Sequence, residues 1–451
     1  MELKLGEKQK EAVEICLDGS FRIVAVTGPA GSGKTTIIQH VVERLREEGK
    51  VIRVCAPTGK AARRITQATG VEAVTIHKLL EYPKPGERDE KTGKALNPGA
   101  PKRNYENPIY GDVIIADEYA MVNHTLDRNL LDALSKGARL LVFGDNNQLP
   151  PIEEFKLKTE TQTPFQKHLD RKSVELDHVY RQDEDGGILF AANKIRKGNM
   201  PPKSDDFVYH FTEQPVKAFE SYIKKAQEHG VEFNNIANQV ICVQKGSWVG
   251  THSLNRMMQD FYNGERVLDE GMELPRNKWD EQTPITVAIG DKVVCTENTY
   301  DMRPYHERYE QFNERDIGLP PSFIPTPDTK MMLNGETGVI TDIRLDGALE
   351  VDFGDRIVEI PTTYTEYNHH NDSFYEKDAR KAIDLAYALT THKCQGSEFS
   401  RVVYIINRSR PFMLNRKNFY TAVTRAKEHV LVVCDQPSMR YSLRPFKEFK
   451  K

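Results

Sequence analysis

The feature that most constrains this chain is a glycine-rich segment that directly follows an apolar run. The run is FRIVAVTG (residues 21–28), and the glycine-rich segment is Gly28-Pro29-Ala30-Gly31-Ser32-Gly33-Lys34-Thr35. The segment satisfies the pattern GxxxxGK(S/T), and apolar residues recur at helical spacing after it, so a strand, a loop and a helix are predicted in that order. In this setting the glycines let backbone N–H groups surround phosphates, and the start of the helix adds positive potential. The segment therefore predicts a P-loop nucleotide site inside an α/β fold.

Two side chains of the P-loop carry chemistry that a bound nucleotide needs. Lys34 is expected to reach the β- and γ-phosphates, and Thr35 is expected to ligate Mg²⁺. The other residues of the loop, together with Thr36 directly after it, complete the predicted nucleotide-binding set. The cofactors that follow from this site are ATP and Mg²⁺.

Acidic and amide side chains follow two further apolar runs of the same predicted sheet. Asp117 and Glu118 end the run DVIIADE (112–118), and Gln148 lies beyond the run ARLLVFGD (138–145). Because the carboxyl ends of parallel strands meet at one edge, these side chains are expected beside the phosphates. Asp117 would hold Mg²⁺ through water, Glu118 would orient and deprotonate the attacking water, and Gln148 would sense the γ-phosphate. An acidic pair after a strand is more often a solvated turn, and the upstream P-loop is what favours the catalytic interpretation.

A second series of apolar runs lies in the second half of the chain. Its members are NQVICVQ (238–244), RVVYIIN (401–407) and HVLVVCD (429–435). They predict a second α/β domain, which has no P-loop of its own. Between them, from about residue 289 to 375, short strands are separated by Gly and Asp turns, which is typical of a small inserted β-barrel. Residues 81–110 and 301–330 are rich in Pro, Gly and charge, and each predicts a functional insertion or a small subdomain.

Composition excludes several classes of protein. The 451 residues are 38% hydrophobic and 29% charged, as in globular proteins. The formal net charge of -3 argues against binding nucleic acid by bulk charge, although it leaves room for a basic groove. The six cysteines are scattered without CxxC spacing, so neither a disulfide scaffold nor a zinc site is expected. No apolar run approaches membrane-spanning length and the N-terminus lacks a signal-peptide core, so we expect a cytoplasmic protein without a membrane partner.

The P-loop, the acidic pair and the segment GDNNQLPP belong to an ordered set of segments that resembles the motifs of superfamily 1 helicases. The resemblance is specifically to the class that includes RecD and the phage helicase Dda, and it spans nearly the whole chain. The further segments are LGEKQKEAV around Gln9 (Q motif), CAPTGKAA at 55–62 (motif Ia), TIHKLL at 75–80 (motif Ib), LDHVYRQ at 176–182, YALTTHKCQGSEF at 387–399 (motif V) and NFYTAVTRAKEHV at 418–430 (motif VI). An ordered set is far more specific than any single member.

The resemblance implies an α/β fold of two tandem RecA-like P-loop domains, with ATP between them and single-stranded DNA crossing both. The predicted first domain (1A), which carries the ATP site, comprises residues 1–80 and 111–180. Residues 81–110 form an insertion (1B) at the place of the strand-separating pin. The predicted second domain (2A) comprises residues 181–285 and 378–451, and residues 286–377 form an SH3-like β-barrel insertion (2B).

The resemblance also assigns roles around the nucleotide. Gln9 matches the glutamine that reads adenine. Arg181 and Arg425 match two arginine fingers, whose cations stabilise charge on the transferring phosphoryl group. Gly396 and Glu398 in motif V are placed with the nucleotide-binding residues.

Side chains in motifs Ia, Ib and V, with one asparagine upstream of motif V, match DNA-facing positions of the class. Such polar and cationic groups can bond phosphate oxygens without reading bases. For a single threonine or histidine, a satisfied polar residue at an element end is an equally good interpretation, so the prediction depends on the whole set. The predicted DNA-binding residues are Pro57, Thr58, Lys60, Thr75, His77, Lys78, Asn255, Thr391, His392 and Lys393.

Two features depart from the class. Tyr119 and Ala120 stand after the acidic pair, where relatives often carry smaller or hydroxyl residues, and this affects the expected coupling to GDNNQLPP. The segment 301–330 has no counterpart in the class. Within 81–110, Tyr105 is one hypothesis for the wedge residue.

The sequence thus predicts an ATP-dependent DNA helicase that translocates on single-stranded DNA, 5′ to 3′ by resemblance, and unwinds forked duplex DNA. The alternative is an ATP-regulated DNA-binding or remodelling subunit without robust unwinding. A small-molecule kinase would not explain two α/β domains with one P-loop. We expect a monomer in a bacterial or phage-infected host cytoplasm, acting in replication, recombination or repair with proteins of those processes as partners.

Overall fold

The structure is a computed structural model, and it describes residues 5–83, 97, 99–151, 162–176, 186–275, 284–299, 302, 331–368 and 373–445. The chain forms two compact units. The first comprises Met1–Pro201, Arg416–Thr424 and Pro445–Lys451, and the second comprises Pro202–Asn415 and Arg425–Arg444. Each unit has its own parallel sheet.

The first unit is a parallel sheet with helices on both faces. Its strands are β1 (Ile23–Thr27), β2 (Ile52–Ala56), β3 (Ala73–Thr75), β4 (Val113–Ala116), β5 (Arg139–Gly144) and β6 (Ser173–Glu175). Its helices are α1 (Glu7–Leu17), α2 (Lys34–Glu47), α3 (Gly59–Thr69), α4 (Ile76–Leu79), α5 (His124–Asp132), α6 (Pro164–Leu169), α7 (Gly187–Arg196) and α10 (Arg416–Val423). The six strands pair in the order β3-β2-β4-β5-β1-β6, and every pairing is parallel.

Hydrophobic side chains cover both faces of this sheet. All four residues of β4 are buried, as expected for a central parallel strand. On one face the buried residues of α2, which recur at helical spacing, join the core with α1 and α3. On the other face Leu126 and Leu130 of α5 and Phe165 of α6 form a second core. The four strands predicted in the first half of the sequence are present as β1, β2, β4 and β5.

The second unit combines a parallel sheet with an antiparallel one. Its strands are β7 (Phe207–Phe211), β8 (Asn238–Cys242), β9 (Met272–Glu273), β10 (Thr286–Val287), β11 (Lys292–Cys295), β12 (Thr337–Ile343), β13 (Leu349–Asp352), β14 (Ile357–Ile360), β15 (Tyr364–Asn368), β16 (Ser373–Lys377), β17 (Ile383–Leu385), β18 (Ala388–Thr390), β19 (Phe399–Ile405) and β20 (Ala426–Cys434). Its helices are α8 (Pro215–Glu228), α9 (Thr251–Glu270) and α11 (Gln436–Ser442). The parallel sheet has five strands in the order β18-β8-β19-β20-β7.

The β-rich insertion is built on a five-stranded antiparallel sheet in the order β14-β13-β12-β11-β17. It shares one hydrophobic core with the parallel sheet of the second unit. Strand β17 belongs to this sheet but lies beyond the predicted limit of the insertion at residue 377, because it pairs with β11. The SH3-like barrel assignment remains a prediction.

Two helices lie in a different unit from the predicted one. The predicted boundary after residue 180 assigns α7 and α10 to the second domain, whereas both belong to the first unit. They pack against each other, and Lys417 Nζ of α10 donates to the carbonyl oxygen of Asn146 at 3.0 Å. These contacts join segments far apart in the sequence, which is why periodicity and motif order did not indicate them.

None of the helices in the described part of the chain combines the length and the apolar character that a membrane span requires. All six cysteines are buried, and none of them forms a disulfide bond.

Candidate nucleotide site

The predicted nucleotide residues of the first unit meet at one edge of its sheet. Strand β5 pairs with β1 on one side and with β4 on the other, so the loops after these three strands are neighbours. Gly28 N–H donates to the carbonyl oxygen of Gly144 at 3.1 Å, and Asn146 N–H donates to Thr27 Oγ1 at 3.3 Å. These bonds join the start of the P-loop to the start of GDNNQLPP.

The P-loop needs glycine at two positions for steric reasons. Gly33 has a φ of 82°, in the left-handed region that favours glycine. A Cβ on Gly33 would lie 2.2 Å from Gln9 Nε2, and one on Gly28 would lie 2.6 Å from Ser32 Oγ. The absence of side chains leaves the backbone N–H groups accessible to a closely approaching ligand.

Lys34 is the first residue of α2 and folds back over the loop. Its Nζ donates to the carbonyl oxygens of Gly28 at 2.7 Å and Pro29 at 2.9 Å. The ammonium therefore lies at the concave side of a loop that precedes a helix N-terminus. Both features favour an anion at this position.

Gln9 contacts the same loop. Gly6 N–H donates to Gln9 Oε1 at 2.9 Å, and Gln9 Nε2 donates to the carbonyl oxygen of Ser32 at 3.1 Å. The side chain is thus a support of the P-loop. A role in reading adenine would fall to the second Nε2 hydrogen, and it stays a prediction.

The acidic pair follows β4 in a buried setting. Burial raises the pKa of Asp117 to about 6 and the neighbouring Glu118 acts in the same direction, whereas the cations of Lys34 and Arg64 act in the opposite direction. Glu118 N–H donates to Asp117 Oδ1 at 2.8 Å. A divalent cation beside the Asp117 carboxylate would favour its charged form, so the position suits a metal ion.

Several buried oxygens at this edge have no partner in the described part of the chain: Ser32 Oγ, Glu118 Oε2 and Gln148 Oε1. Buried polar atoms are nearly always bonded, so these atoms indicate partners beyond the described residues, and a bound ligand is one such partner. Amides, an ammonium, the Thr35 hydroxyl and the Asp117 carboxylate are donors and ligands that suit a phosphate chain with Mg²⁺. The residues present therefore fit a magnesium nucleotide.

Helix α10, which carries motif VI, contacts GDNNQLPP directly. Tyr420 OH donates to Asp145 Oδ2 at 2.8 Å, and Leu149 N–H donates to Thr421 Oγ1 at 2.9 Å. Asp145 also accepts a bond from Asn147 N–H at 2.9 Å. The segment that contains Gln148 is thus held on both sides of the glutamine.

Comparison with known proteins agrees with this arrangement. Residues 4–210 match the family described as AAA domain, and residues 385–433 match the UvrD-like helicase C-terminal domain. The ATP-dependent RecD2 DNA helicase of Deinococcus radiodurans is 30% identical over 429 residues, which are 94% of this chain and 48% of that protein. The ATP-dependent DNA helicase dda of Enterobacteria phage T4 is 30% identical over 205 residues, 43% of each chain. This chain therefore spans about half the length of the RecD2 protein that it matches.

Solved structures extend the likeness to the fold. The Pif1 helicase from Candida albicans superimposes with a TM-score of 0.58 at 17% identity, covering 98% of this chain and 97% of that chain. This chain is thus similar in sequence to RecD-like and Dda helicases and similar in fold to a Pif1 helicase. Its two parallel sheets fit the two RecA-like domains expected of the class.

In the second unit, the motif V residues that are predicted to contact DNA follow β18. Thr391 is fully buried, and its Oγ1 donates to the carbonyl oxygen of Cys242 at 3.4 Å. Burial lowers the pKa of His392, and it lowers the pKa of Lys393 although the charge of Asp384 acts in the opposite direction. The Thr391 hydroxyl thus has a partner within the fold. Burial disfavours the charged forms of His392 and Lys393, and an approaching anion would stabilise these forms.

The residues of motifs V and VI that are predicted to have nucleotide roles also form contacts within the second unit. Gly396 has a φ of 76° and shapes the loop. The Glu398 carboxylate lies 3.4 Å from Lys427 Nζ. Arg425 is buried, and its Nη1 donates to the carbonyl oxygen of Ser397 at 3.2 Å. The finger role of Arg425 remains a prediction.

Asn255 does not present its amide to solvent as its predicted DNA-facing role requires. The residue is buried in α9, its Nδ2 donates to the carbonyl oxygen of Leu385 at 3.1 Å, and Ala388 N–H donates to its Oδ1 at 2.6 Å. The side chain instead attaches α9 to the backbone before β18. Both ends of the Asn255 amide are therefore bonded within the fold. This observation favours a structural role for Asn255 over the predicted DNA contact.

The DNA-binding candidates of motifs Ia and Ib divide into three groups, namely capping hydroxyls, exposed residues and other half-buried residues. Thr58 Oγ1 accepts from Ala61 N–H at 3.2 Å and Thr75 Oγ1 accepts from Lys78 N–H at 3.1 Å, so both hydroxyls cap helices. The side chains of His77 and Lys78 are exposed. The half-buried members of the set are Pro57 and Lys60.

Some predictions cannot be placed. Arg181 and nearly all of 301–330 lie outside the described residues. Tyr105 is 78% exposed, and its hydroxyl donates to Glu106 Oε1 at 2.9 Å. This exposure suits a wedge but does not distinguish it from an ordinary surface tyrosine.

Arg64, which is absent from the predicted set, is a cation near the acidic pair. Its positive charge lowers the pKa of Asp117, so it lies within electrostatic reach of the metal position. The signal in the sequence is its spacing of four residues from Lys60 on α3, which places both cations on one helix face.

Proposed function

We propose that this protein is an ATP-dependent DNA helicase that translocates on single-stranded DNA, in the 5′ to 3′ direction, and separates forked duplexes. The observation that carries the proposal is the sheet edge where Lys34, Asp117 and Glu118 meet beside buried oxygens that have no partner among the described residues. The name of the Deinococcus relative, a DNA helicase, supports the DNA substrate.

The chain's own residues divide the hydrolysis chemistry among them. The N–H groups of Gly33 to Thr35, at the end of the P-loop that begins α2, would bind the phosphates. Thr35 and Asp117 would hold Mg²⁺, which would supply charge neutralisation at the phosphates. Glu118 Oε2, buried and unbonded within the described residues, would orient the attacking water and accept its proton. Gln148 Oε1 would accept a bond from the same water.

The remaining assignments follow from the class. Arg181 and Arg425 would act as arginine fingers, and residues 81–110 and the β-rich insertion would act as pin and SH3-like subdomain on the DNA. His77 and Lys78 are the exposed candidates of motif Ib. Basic and polar groups that contact phosphates suit a motor that accepts any sequence.

ATP hydrolysis by the full chain, with and without a single-stranded oligonucleotide, tests the proposal. We expect strong stimulation by the oligonucleotide. Lys34→Ala should reduce turnover by at least about a hundredfold, because a charge that stabilises the transferring phosphoryl group is lost, and should leave oligonucleotide binding measurable. Lys50→Ala, at an exposed lysine beyond α2, is the control and should behave as the parent.

Forked duplexes with one tail at a time separate the helicase from its alternative. Unwinding of the fork with a 5′ tail, and not of the fork with a 3′ tail, is the expected result. Stimulated hydrolysis without unwinding of either fork would instead identify an ATP-regulated DNA-binding or remodelling subunit. A rate of ATP hydrolysis that does not change when DNA is added would refute both the helicase and the remodelling subunit.

A further inference from the structure

The catalytic glutamate stands on a strained backbone. Glu118 has φ 50° and ψ 38°, the left-handed conformation that residues with a Cβ rarely adopt. It follows β4 and begins a tight 3-10 turn, in which Met121 N–H donates to the Glu118 carbonyl oxygen at 3.0 Å. Such a conformation persists only where the surrounding structure holds it. Something near Glu118 must therefore keep this turn in place.

The side chain that follows Glu118 has the means to do so. Tyr119 is fully buried, and its hydroxyl donates to Asp127 Oδ1 at 2.7 Å. Its ring meets the ring of His168 edge-on with centroids 5.6 Å apart, and the Phe165 ring lies at 6.3 Å. Burial, followed by the charge of Asp127, raises the pKa of Tyr119 well above its usual value, so the hydroxyl keeps the proton that it donates.

Asp127 receives a second donor from another helix. His168 Nε2 of α6 lies 2.7 Å from the same oxygen, Asp127 Oδ1, and His168 Nδ1 has no partner among the described residues. Because a carboxylate oxygen accepts, the contact places a hydrogen on Nε2, which donates it to Asp127. Asp127 lies in the first turn of α5, where the helix N-terminus favours a charged carboxylate. The tyrosine is thus bonded to a carboxylate that is itself oriented from two sides.

The turn is also packed against the strand that leads to Gln148. A Cβ on Gly144 would lie 3.1 Å from both Ala120 N and the Phe165 ring, so the turn, α6 and the end of β5 are in close contact. Freedom of the turn is therefore restricted on the β5 side by packing and on the α5 side by the tyrosine hydroxyl. Tyr119, which is bulkier than the residues that relatives often carry at this position, thus packs and forms a hydrogen bond inside the fold.

We propose that Tyr119 is a positioning residue that, through its hydroxyl bond to Asp127 and the His168 contact, holds Glu118 in the geometry for hydrolysis. The proposal rests on the proposed ATPase function and assigns Tyr119 no contact with nucleotide. Loss of the hydroxyl should therefore slow the hydrolytic step without changing the affinity for ATP.

The test is Tyr119→Phe, which keeps the ring and removes the bond. Single-turnover and steady-state hydrolysis are measured with saturating oligonucleotide, and binding of a fluorescent ATP analogue is measured separately. We expect the hydrolysis rate to fall about tenfold, the size that one hydrogen bond to a charged group provides, with KM and analogue affinity unchanged. Asp127→Asn, which keeps the volume and weakens both bonds, should lower the rate in the same way.

A matched control separates positioning from stability. Tyr262→Phe also removes one hydroxyl hydrogen bond, the one accepted from Phe233 N–H at 3.1 Å in the second unit. It should lower the melting temperature by a similar amount and leave hydrolysis unchanged. If Tyr119→Phe and Asp127→Asn behave like this control, losing stability but not hydrolysis rate, the positioning role is wrong.

A double variant tests whether the effect passes through Glu118. In a Glu118→Gln background the residual hydrolysis should not fall further when Tyr119→Phe is added, because the group to be positioned is already lost. Full additivity of the two losses would overturn the proposal. Absence of ATP hydrolysis in the parent chain would be a different result, since it contradicts the proposed function itself.

Discussion

The carboxyl edges of the two parallel sheets use their polar side chains differently. At the first sheet, Ser32 Oγ, Glu118 Oε2 and Gln148 Oε1 are buried without partners in the described part of the chain. At the second sheet, Thr391 and Arg425 donate to backbone carbonyl oxygens. The two parallel sheets thus differ in whether the polar groups of their loops are bonded within the described part of the chain.

Unbonded oxygens also occur among the described residues of the second unit, at Gln239, Gln244 and Ser438. In the two glutamines the other end of the amide donates to a neighbouring group. Leaving a buried polar atom unbonded costs free energy, and it is tolerated where a ligand supplies the partner. The comparison therefore indicates that the first edge awaits a polar ligand, whereas the second is largely satisfied by its own backbone.

Arg425→Ala gives the largest expected effect and tests whether the second edge releases a bonded cation for catalysis. If the arginine stabilises charge on the phosphoryl group, hydrolysis at saturating ATP should fall at least about a hundredfold with nearly normal ATP affinity. Arg344→Ala, which removes exposed ion pairs in the insertion, is the control and should not change hydrolysis. A lower melting temperature with unchanged hydrolysis would make Arg425 a structural residue.

Asn255→Ala tests the claim that a predicted DNA contact is structural. Losing both buried backbone bonds should lower the free energy of unfolding by about 2–3 kcal/mol. Both tryptophans, Trp248 and Trp279, fall within the sequence range of the second unit, so tryptophan fluorescence during urea unfolding reports on it. Binding of a labelled oligonucleotide by the folded variant should match the parent. Weaker binding at unchanged stability would restore the DNA-facing interpretation.

Asp117→Asn should stabilise the first unit while removing its function. Because burial and Glu118 raise the pKa of Asp117 to about 6, the charged form opposes folding at neutral pH. At pH 8, with EDTA and without nucleotide, we expect the variant to be more stable by about 2 kcal/mol. The advantage should be complete above about pH 6 and decrease as the pH falls from there, where the parent carboxyl takes up its proton. An advantage independent of pH would contradict this origin.

Lys78→Ala should give the smallest effect. If its exposed ammonium contacts one phosphate of single-stranded DNA, oligonucleotide affinity should fall modestly and the slope of log affinity against log salt should decrease by about 0.7. Stability should not change. Lys10→Ala, at an exposed lysine of α1, should leave both the affinity and the slope at parent values. Identical slopes for the two variants would remove Lys78 from the DNA-binding set.

Local patterns predicted a large part of the fold and of the nucleotide site. The run at 138–145 appears as β5 (Arg139–Gly144), and the P-loop, the acidic pair and Gln148 follow neighbouring strands as expected. This succeeded because strand periodicity and glycine-rich turns are local properties, and because parallel order brings strand ends together.

Contacts between distant segments escaped the same reasoning. The unit to which α10 belongs depends on bonds such as that of Tyr420 with Asp145, and the burial of Asn255 depends on the backbone near β18. No pattern within a motif indicates such pairings. The role of Tyr119 is of the same kind, since its partner Asp127 is also bonded by His168 on a third element.

The P-loop, the two α/β series and the resemblance to a helicase class can be read from the sequence alone, because each depends on residue type and order along the chain. Only the tertiary structure decided which polar groups are already bonded and which await a partner. Hydrogen bonding and burial depend on residues brought together from far apart, so one asparagine or tyrosine can be structural or functional with the same local sequence around it.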